Sequence, residues 1–125
     1  MSVLSAEPAS LRPKLPELID VSHESNRCVI ELRIPSDLAY FPGHFPVRSI
    51  LPGVVQIDWA IHFARQYFAL RGEFQKMEVL KFQQIIVPGN QLHLSLEYRA
   101  DNGKLYFDYS NAEHKFSSGR LVFSE

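Results

Sequence analysis

The segment YFPGHFPVRSILPGVVQIDWAIHFA, residues 40–64, joins a loop rich in proline and glycine to the most apolar part of the chain. Its second half repeats apolar residues at a spacing of three and four, which is typical of a helix. Pro52 suits the first helical turn, where its missing N–H is not needed. Arg71 and Gly72 suit the end, because a cation and a left-handed residue both stabilise a helix C-terminus. We therefore predict a helix over residues 52–70 that is apolar on almost every side and hence buried.

Alternating apolar and polar residues on both sides of this helix predict β-strands. Two strands precede it, the weaker candidate PELIDVSHES (16–25) and the clearer RCVIELRI (27–34). Four follow it: MEVLKFQQIIV (77–87), QLHLSLEYRA (91–100), KLYFDYSN (104–111) and EHKFSSGRLVFSE (113–125). Asn102 and Gly103 predict a hairpin with a type I′ turn. Short links favour antiparallel pairing, so the order β-β-α-β-β-β-β predicts an α+β protein whose sheet wraps the helix.

The chain has 125 residues, a net charge of −1 and one cysteine. This length predicts a single domain, residues 17–125, after an extended lead-in over residues 1–16 that lacks the pattern of a signal peptide. The near-neutral charge argues against binding to nucleic acid or to a membrane surface, and no apolar run reaches transmembrane length. A single cysteine forms no internal disulfide, so we expect a cytoplasmic protein with Cys28 in its core.

Asp58 places a carboxyl group inside the apolar helix. An ionised carboxylate buried there without a partner would cost several kcal/mol. Asp58 could therefore bond a neighbouring loop, pair with His62 one turn further on, or have a raised pKa and donate a proton to a leaving group. A metal site built on Asp58 and His62 is not expected, because no third ligand has a supporting spacing.

His44 lies between two prolines that restrict the backbone, which suits a side chain that must be aimed. The alternative is a simple turn in which His44 packs beside Phe45. The helix start adds the free amides of Gly53 and Val54, which suit the oxygen of a polarised carbonyl. A base, an acid and an oxyanion site fit proton abstraction next to a carbonyl followed by loss of a β-hydroxyl, and they also fit hydrolysis of a thioester.

Two motifs carry a resemblance to a known family. GHFPVRSILPGVVQIDWA (43–60) resembles the Gly-His-Phe-Pro, Pro-Gly-Val and acid pattern of the 3-hydroxyacyl-[acyl carrier protein] dehydratases of the FabA/FabZ type. KFQQIIVPGNQLHLSLE (81–97) resembles the strand that follows the helix in that family. The resemblance covers residues 17–125, and ILPGVVQIDWA (50–60) is most similar to the ApeI-like branch, which is associated with aryl polyene lipid synthesis.

The resemblance implies a hot-dog fold, in which a bent antiparallel sheet wraps one long helix. It also implies a homodimer with two active sites at the interface, each combining the histidine of one subunit with the acid of the other; assembly beyond the dimer is left open. By position, His44 removes the C2 proton, Asp58 assists departure of the 3-hydroxyl as water, and the Gly53 N–H polarises the thioester carbonyl. No cofactor or metal is implied. The chain departs from the family pattern at His62, in place of a glutamine, and at Val47 and Ser49, in place of a glycine and a proline.

The expected reaction converts 3-hydroxyacyl-carrier-protein thioesters to trans-2-enoyl thioesters, in fatty-acid or aryl polyene-type synthesis. The alternatives are a hot-dog thioesterase in which Asp58 activates water, and a non-catalytic protein that binds acyl chains or acyl carrier protein. The residues expected to contact substrate are Phe45, Pro52, Val54 and His62. Because acyl carrier protein is acidic, we expect a basic entrance, with Arg48, Arg65 and Lys81 as candidates.

Overall fold

The computed structural model describes residues 14–38 and 50–124, which form one helix and six strands in the predicted order. Their bounds are β1 Glu17–Glu24, β2 Arg27–Arg33, α1 Gly53–Phe68, β3 Phe74–Phe82, β4 Gln91–Arg99, β5 Lys104–Ser110 and β6 Lys115–Phe123. The predicted α+β class is confirmed. No helix in this part of the chain has the length and apolar character needed to cross a membrane.

The strands form one sheet in the order β1-β2-β4-β5-β6-β3, with every neighbouring pair antiparallel. Short links join neighbours at β1–β2, β4–β5 and β5–β6, as predicted. The link from β3 to β4 is different, because β3 pairs with β6 at one edge of the sheet. Residues 83–90 instead carry the chain away from this edge: Gln83 N–H donates to Phe116 O, and Ile86 O accepts from Leu51 N–H.

The core lies between the sheet and one side of α1. The predicted alternation is confirmed, since the inward residues of β2, β4 and β5 are buried: Cys28, Ile30, Leu32, Leu92, Leu94, Leu96, Leu105, Phe107 and Tyr109. Cys28 lies in this core as predicted, and burial raises the pKa of its thiol. The end of the lead-in also packs on the helix, because Trp59 Nε1 donates to Lys14 O at 2.9 Å.

The helix ends earlier than predicted. Ala69, with φ of 53°, adopts the left-handed conformation that we expected at Gly72. Arg65 explains the difference, because its guanidinium donates to Leu70 O and to Gly72 O, each at 3.1 Å. Arg65 thus holds the carbonyl groups that follow the helix, a role that the sequence suggested for Arg71.

The helix is also less buried than predicted. Its core-facing residues are covered, but Val54 is 72% exposed, and Asp58 and His62 are exposed too. The prediction of a helix buried on all sides is therefore wrong for the single chain, because the sheet covers only one side of α1. Nothing within residues 14–38 and 50–124 covers the other side, which we call the open side.

Two boundaries differ in the second half. The strand predicted over residues 77–87 is Phe74–Phe82, since the chain leaves the sheet at Gln83. The β4–β5 hairpin is confirmed, but its type I′ turn is wrong: Gly103 is left-handed, with φ of 69°, whereas Asn102 is not. Asn102 closes the loop with its side chain, because its Oδ1 accepts from Lys104 N–H at 3.0 Å.

Candidate active site

The Asp58 side chain lies on the open side of α1 and lines a cavity of about 530 Å³ between α1 and β3. The other walls of this Asp58 cavity are apolar and include Val54, Ile57, Ile61, Phe74, Met77, Leu80 and Phe82. Gly53, at the start of the helix, borders the same cavity. The structure therefore brings the predicted acid and the predicted oxyanion donor to one apolar space.

The start of α1 offers free amide groups to this space. Pro52 is the N-cap, in an extended conformation, and makes no side-chain cap. Its carbonyl accepts from the amides of Val55 and Gln56, at 3.1 and 3.2 Å. Within residues 14–38 and 50–124, the amides of Gly53 and Val54 meet no acceptor. Since the first turn also lacks an acidic residue, the positive end of the helix can stabilise a developing oxyanion.

The backbone at Gly53 is covered by the ring of Phe82. A Cβ atom added to Gly53 would lie 2.8 Å from Phe82 Cζ, which is shorter than any normal contact. Phe82 also lines a second cavity of about 330 Å³, on the side of Leu51 and Gln56. Sequence reasoning missed this role of Phe82, although the Lys81-Phe82 pair belongs to the second motif that carried the resemblance.

His62 follows Asp58 by one turn on the open side of the helix. The described part of the chain shows no hydrogen bond or ion pair between the two side chains, so the pairing considered from the sequence is not observed. The His62 ring instead contacts Phe63 edge-on, with ring centroids 5.0 Å apart. The role of His62 in substrate binding stays a prediction.

Tyr109 lies beneath the site, in the core. Its hydroxyl donates to the main-chain oxygen of Gln56 at 2.7 Å. Burial, and after it the negative charge of Asp58, raises the pKa of Tyr109 well above its ordinary value. Tyr109 is therefore a neutral donor under the acid, a role that its place in the alternating strand KLYFDYSN does not indicate.

The candidate carrier-protein contacts occupy different places. The Arg65 guanidinium donates hydrogen bonds to the carbonyls beyond the helix and also lies over the Phe123 ring, 5.6 Å from its centroid. Lys81 is exposed on β3 and lines a groove on the outer face of the sheet with Arg27 and Arg120. His44, Phe45 and Arg48 lie outside the described residues, so their roles stay predictions.

An antiparallel sheet wrapped around one helix is the architecture of the hot-dog fold, and in this chain an acid lies on the open side of that helix. The chain superposes on the dehydratase heterocomplex ApeI:P from Xenorhabdus doucetiae with a TM-score of 0.82 and 33% identity, covering 88% of this chain and 98% of that one. An uncharacterised protein from Erwinia carotovora gives a TM-score of 0.76 at 34% identity, covering 88% and 96%. The predicted hot-dog fold is confirmed.

A family model described as ApeI dehydratase matches residues 20–120, and the chain belongs to this ApeI-like dehydratase family. The FabZ 3-hydroxyacyl-[acyl-carrier-protein] dehydratase of Moorella thermoacetica is 27% identical over 108 residues, which is 78% of this chain and 76% of that protein. The FabZ enzyme of Syntrophomonas wolfei is 30% identical over 73 residues, 53% of this chain. The chain spans about half the length of that relative, 51%. The family resemblance is confirmed.

Proposed function

We propose that this protein removes water from 3-hydroxyacyl thioesters held on acyl carrier protein and releases trans-2-enoyl thioesters, in fatty-acid or aryl polyene-type lipid synthesis. The observation that carries the proposal is that the Asp58 carboxyl and the Gly53 amide border one apolar cavity. Membership of the ApeI-like dehydratase family supports it.

Each group has one task in the proposed reaction. The Gly53 N–H donates to the thioester oxygen, which lowers the cost of the negative charge that develops as the C2–H bond breaks. His44 takes the C2 proton, and Asp58 gives a proton to the 3-hydroxyl, which leaves as water. Gly53 and Asp58 are five residues apart, or about 7.5 Å along a helix, so an extended acyl group can reach both. The step is redox-neutral and includes no cofactor or metal.

A second copy of the chain is the proposed cover for the open side of the site. Exposed apolar side chains line the cavity beside Asp58 there: Val54, Phe74, Met77 and Phe82. An exposed apolar patch of this kind marks an interaction surface, and β3 adds the unpaired backbone of an edge strand. In this proposal the cavity closes when two protomers associate, and each site combines Asp58 of one with His44 of the other.

The test is a panel of aliphatic and aryl 3-hydroxyacyl thioesters, followed by the absorbance of the enoyl product. Asp58→Asn should lower turnover at least about 100-fold, because a positioned proton donor contributes that much or more. Asp58 is exposed, so the variant should remain folded by circular dichroism. Release of free thiol would identify a thioesterase instead, and tight binding of acyl carrier protein without turnover would identify a binding protein.

We propose Arg48 and Lys81 as contacts for the acidic carrier protein, and a smaller part for Arg65, whose guanidinium is already bonded. Arg48→Glu should weaken carrier binding, with the largest loss at low salt because screening is then weakest. Lys115→Glu, at an exposed position at the start of β6, is the matched control. Equal affinity of Arg48→Glu and the native chain at low salt would remove Arg48 from the interface.

A further inference from the structure

The core-facing side of α1 carries a polar side chain, Gln56, among apolar ones. Gln56 is only 3% exposed, and its neighbours Val55, Ile57 and Trp59 are buried as well. A buried amide group penalises folding unless it finds hydrogen-bond partners. The Gln56 amide group must therefore form hydrogen bonds inside the core.

The Gln56 side chain joins three parts of the fold. Its Oε1 accepts from Ser117 Oγ at 2.6 Å, and Ser117 is itself a buried residue of β6. Its Nε2 donates to Leu51 O at 3.3 Å, in the segment just before the helix. One side chain thus ties the entry of α1 and the helix itself to the sheet.

The main chain of Gln56 is held as well. Tyr109, on β5, donates its hydroxyl to the Gln56 carbonyl at 2.7 Å. Leu51 is fixed from its other side, because its N–H donates to Ile86 O at 2.8 Å. The first turns of α1 are consequently bonded to β5, to β6 and to the segment that follows β3.

Gln56 lies three residues after Gly53 and two residues before Asp58. Two residues turn a helix by about 200°, so Asp58 faces the open side when Gln56 faces the core. We propose that Gln56, through Ser117, is a positioning residue: it sets the rotation of α1 that aims the Asp58 carboxyl and the Gly53 amide into one cavity. This inference rests on the proposed dehydratase function and deepens it.

A residue with a purely packing role would be replaceable by an apolar one. When both partners of a buried hydrogen bond are exchanged for apolar groups of the same shape, stability is often nearly unchanged. Gln56→Met keeps the length of the side chain and removes its hydrogen bonds, so it separates packing from positioning. Gln56→Met/Ser117→Ala also removes the hydroxyl that the single variant leaves without its acceptor.

The experiment measures kcat, KM and the midpoint of thermal unfolding on the full chain with a 3-hydroxyacyl thioester. Gln56→Met should lower kcat about 10- to 100-fold with KM within about threefold, because a small misplacement of catalytic groups affects the chemical step. Ser117→Ala should lower kcat as well. The double variant should have a kcat no lower than that of Gln56→Met, since both single changes remove the same hydrogen bond between Ser117 and Gln56. Ile30→Val, a buried change on β2, is the control for lost stability alone.

Three results overturn the inference. The first is a kcat of Gln56→Met within about twofold of the native value, whatever its unfolding midpoint. The second is an equal fall in kcat for Ile30→Val at an equal fall in midpoint. The third applies if Gln56→Met does not fold: unchanged kcat in Ser117→Ala then decides against the inference. The native chain is measured before the variants. If it dehydrates no thioester, the proposed function is wrong, and this inference is wrong with it.

Discussion

Gly53 meets two demands at one position. Its amide N–H has no acceptor among the residues that the structure describes, so it is available to a substrate oxygen. Its missing side chain leaves room for the Phe82 ring, which would lie 2.8 Å from a Cβ atom. The requirement for glycine here is one of space: Gly53 is not among the glycines with positive φ.

Gly53→Ala should therefore displace the Phe82 ring. We expect the free energy of unfolding to fall by about 1–3 kcal/mol, the usual cost of forcing an extra carbon into a packed site. Denaturant unfolding followed by the fluorescence of Trp59, the single tryptophan, measures this loss.

The matched variant is Gly53→Ala/Phe82→Leu, in which a smaller side chain removes the ring atoms that meet the new Cβ. The double variant should lose less stability than the two single losses added together, because the clash is a pairwise interaction. Simple additivity would show that the ring does not oppose a side chain at position 53.

At the residue scale, the sequence singled out two groups that border the cavity but not their surroundings. Asp58 and Gly53 follow from spacing along one helix, and both line the same space. The exposure of Asp58 and its lack of a bond to His62 could not be predicted, because periodicity shows which residues are apolar and not what covers them. The tether of Gln56 to Ser117 was equally hidden, since it joins residues 61 positions apart.

At the scale of elements, β3 is the irregular one. Glu78 pairs with Arg120 and Lys81 with Ser118, so residues 79 and 80 oppose the single Gly119. This is a β-bulge, and Val79 adopts a left-handed conformation in it, with φ of 51°. Leu80 is turned towards Gly119, where an added Cβ would lie 2.6 Å from Leu80 Cδ2. The bulge interrupts the regular pairing of β3 with β6.

Val79→Asn should stabilise the fold by about 1 kcal/mol, because asparagine tolerates the left-handed region at lower cost than a β-branched residue. Val79 is 57% exposed, so the change loses little packing within the protomer. Val79→Thr is the control, since it remains β-branched and should give no gain. A denaturation midpoint for Val79→Asn at or below that of Val79→Thr would contradict strain at this position.

Element order was predictable and element ends were not, for one physical reason. A strand or helix shows its period over many residues, as β2 and α1 do. An end depends on a few hydrogen bonds to groups outside the element. Arg65 donates to the carbonyls that follow the helix end at Ala69, and Phe116 O accepts from Gln83 N–H, where the chain leaves β3. The pairing of β3 with β6 is non-local in the same way. Short links alone would have paired β3 with β4, the next strand along the chain.

At the scale of the whole molecule, the residues that the structure describes bury a core but leave the proposed site open. The sheet covers one side of α1, while Asp58 and a group of apolar side chains face outward on the other. An acid used in dehydration needs a site that excludes water, which the open side of a single protomer does not provide. The proposed second copy supplies that cover, and it makes catalysis depend on association.

Complementation between inactive variants tests this dependence. His44→Ala and Asp58→Asn should each be inactive alone, and their co-expression should restore about a quarter of native activity, because random pairing in a symmetric dimer makes about half the dimers mixed and each mixed dimer has one intact site of two. Mixed dimers purified with two different affinity tags should reach about half of native activity by the same count. Restoration requires that a site takes His44 and Asp58 from different protomers, since a site built within one chain stays broken in both variants. Mixed dimers without activity would therefore indicate that each site takes both His44 and Asp58 from one chain. The second copy would then only cover that site and would contribute no catalytic group.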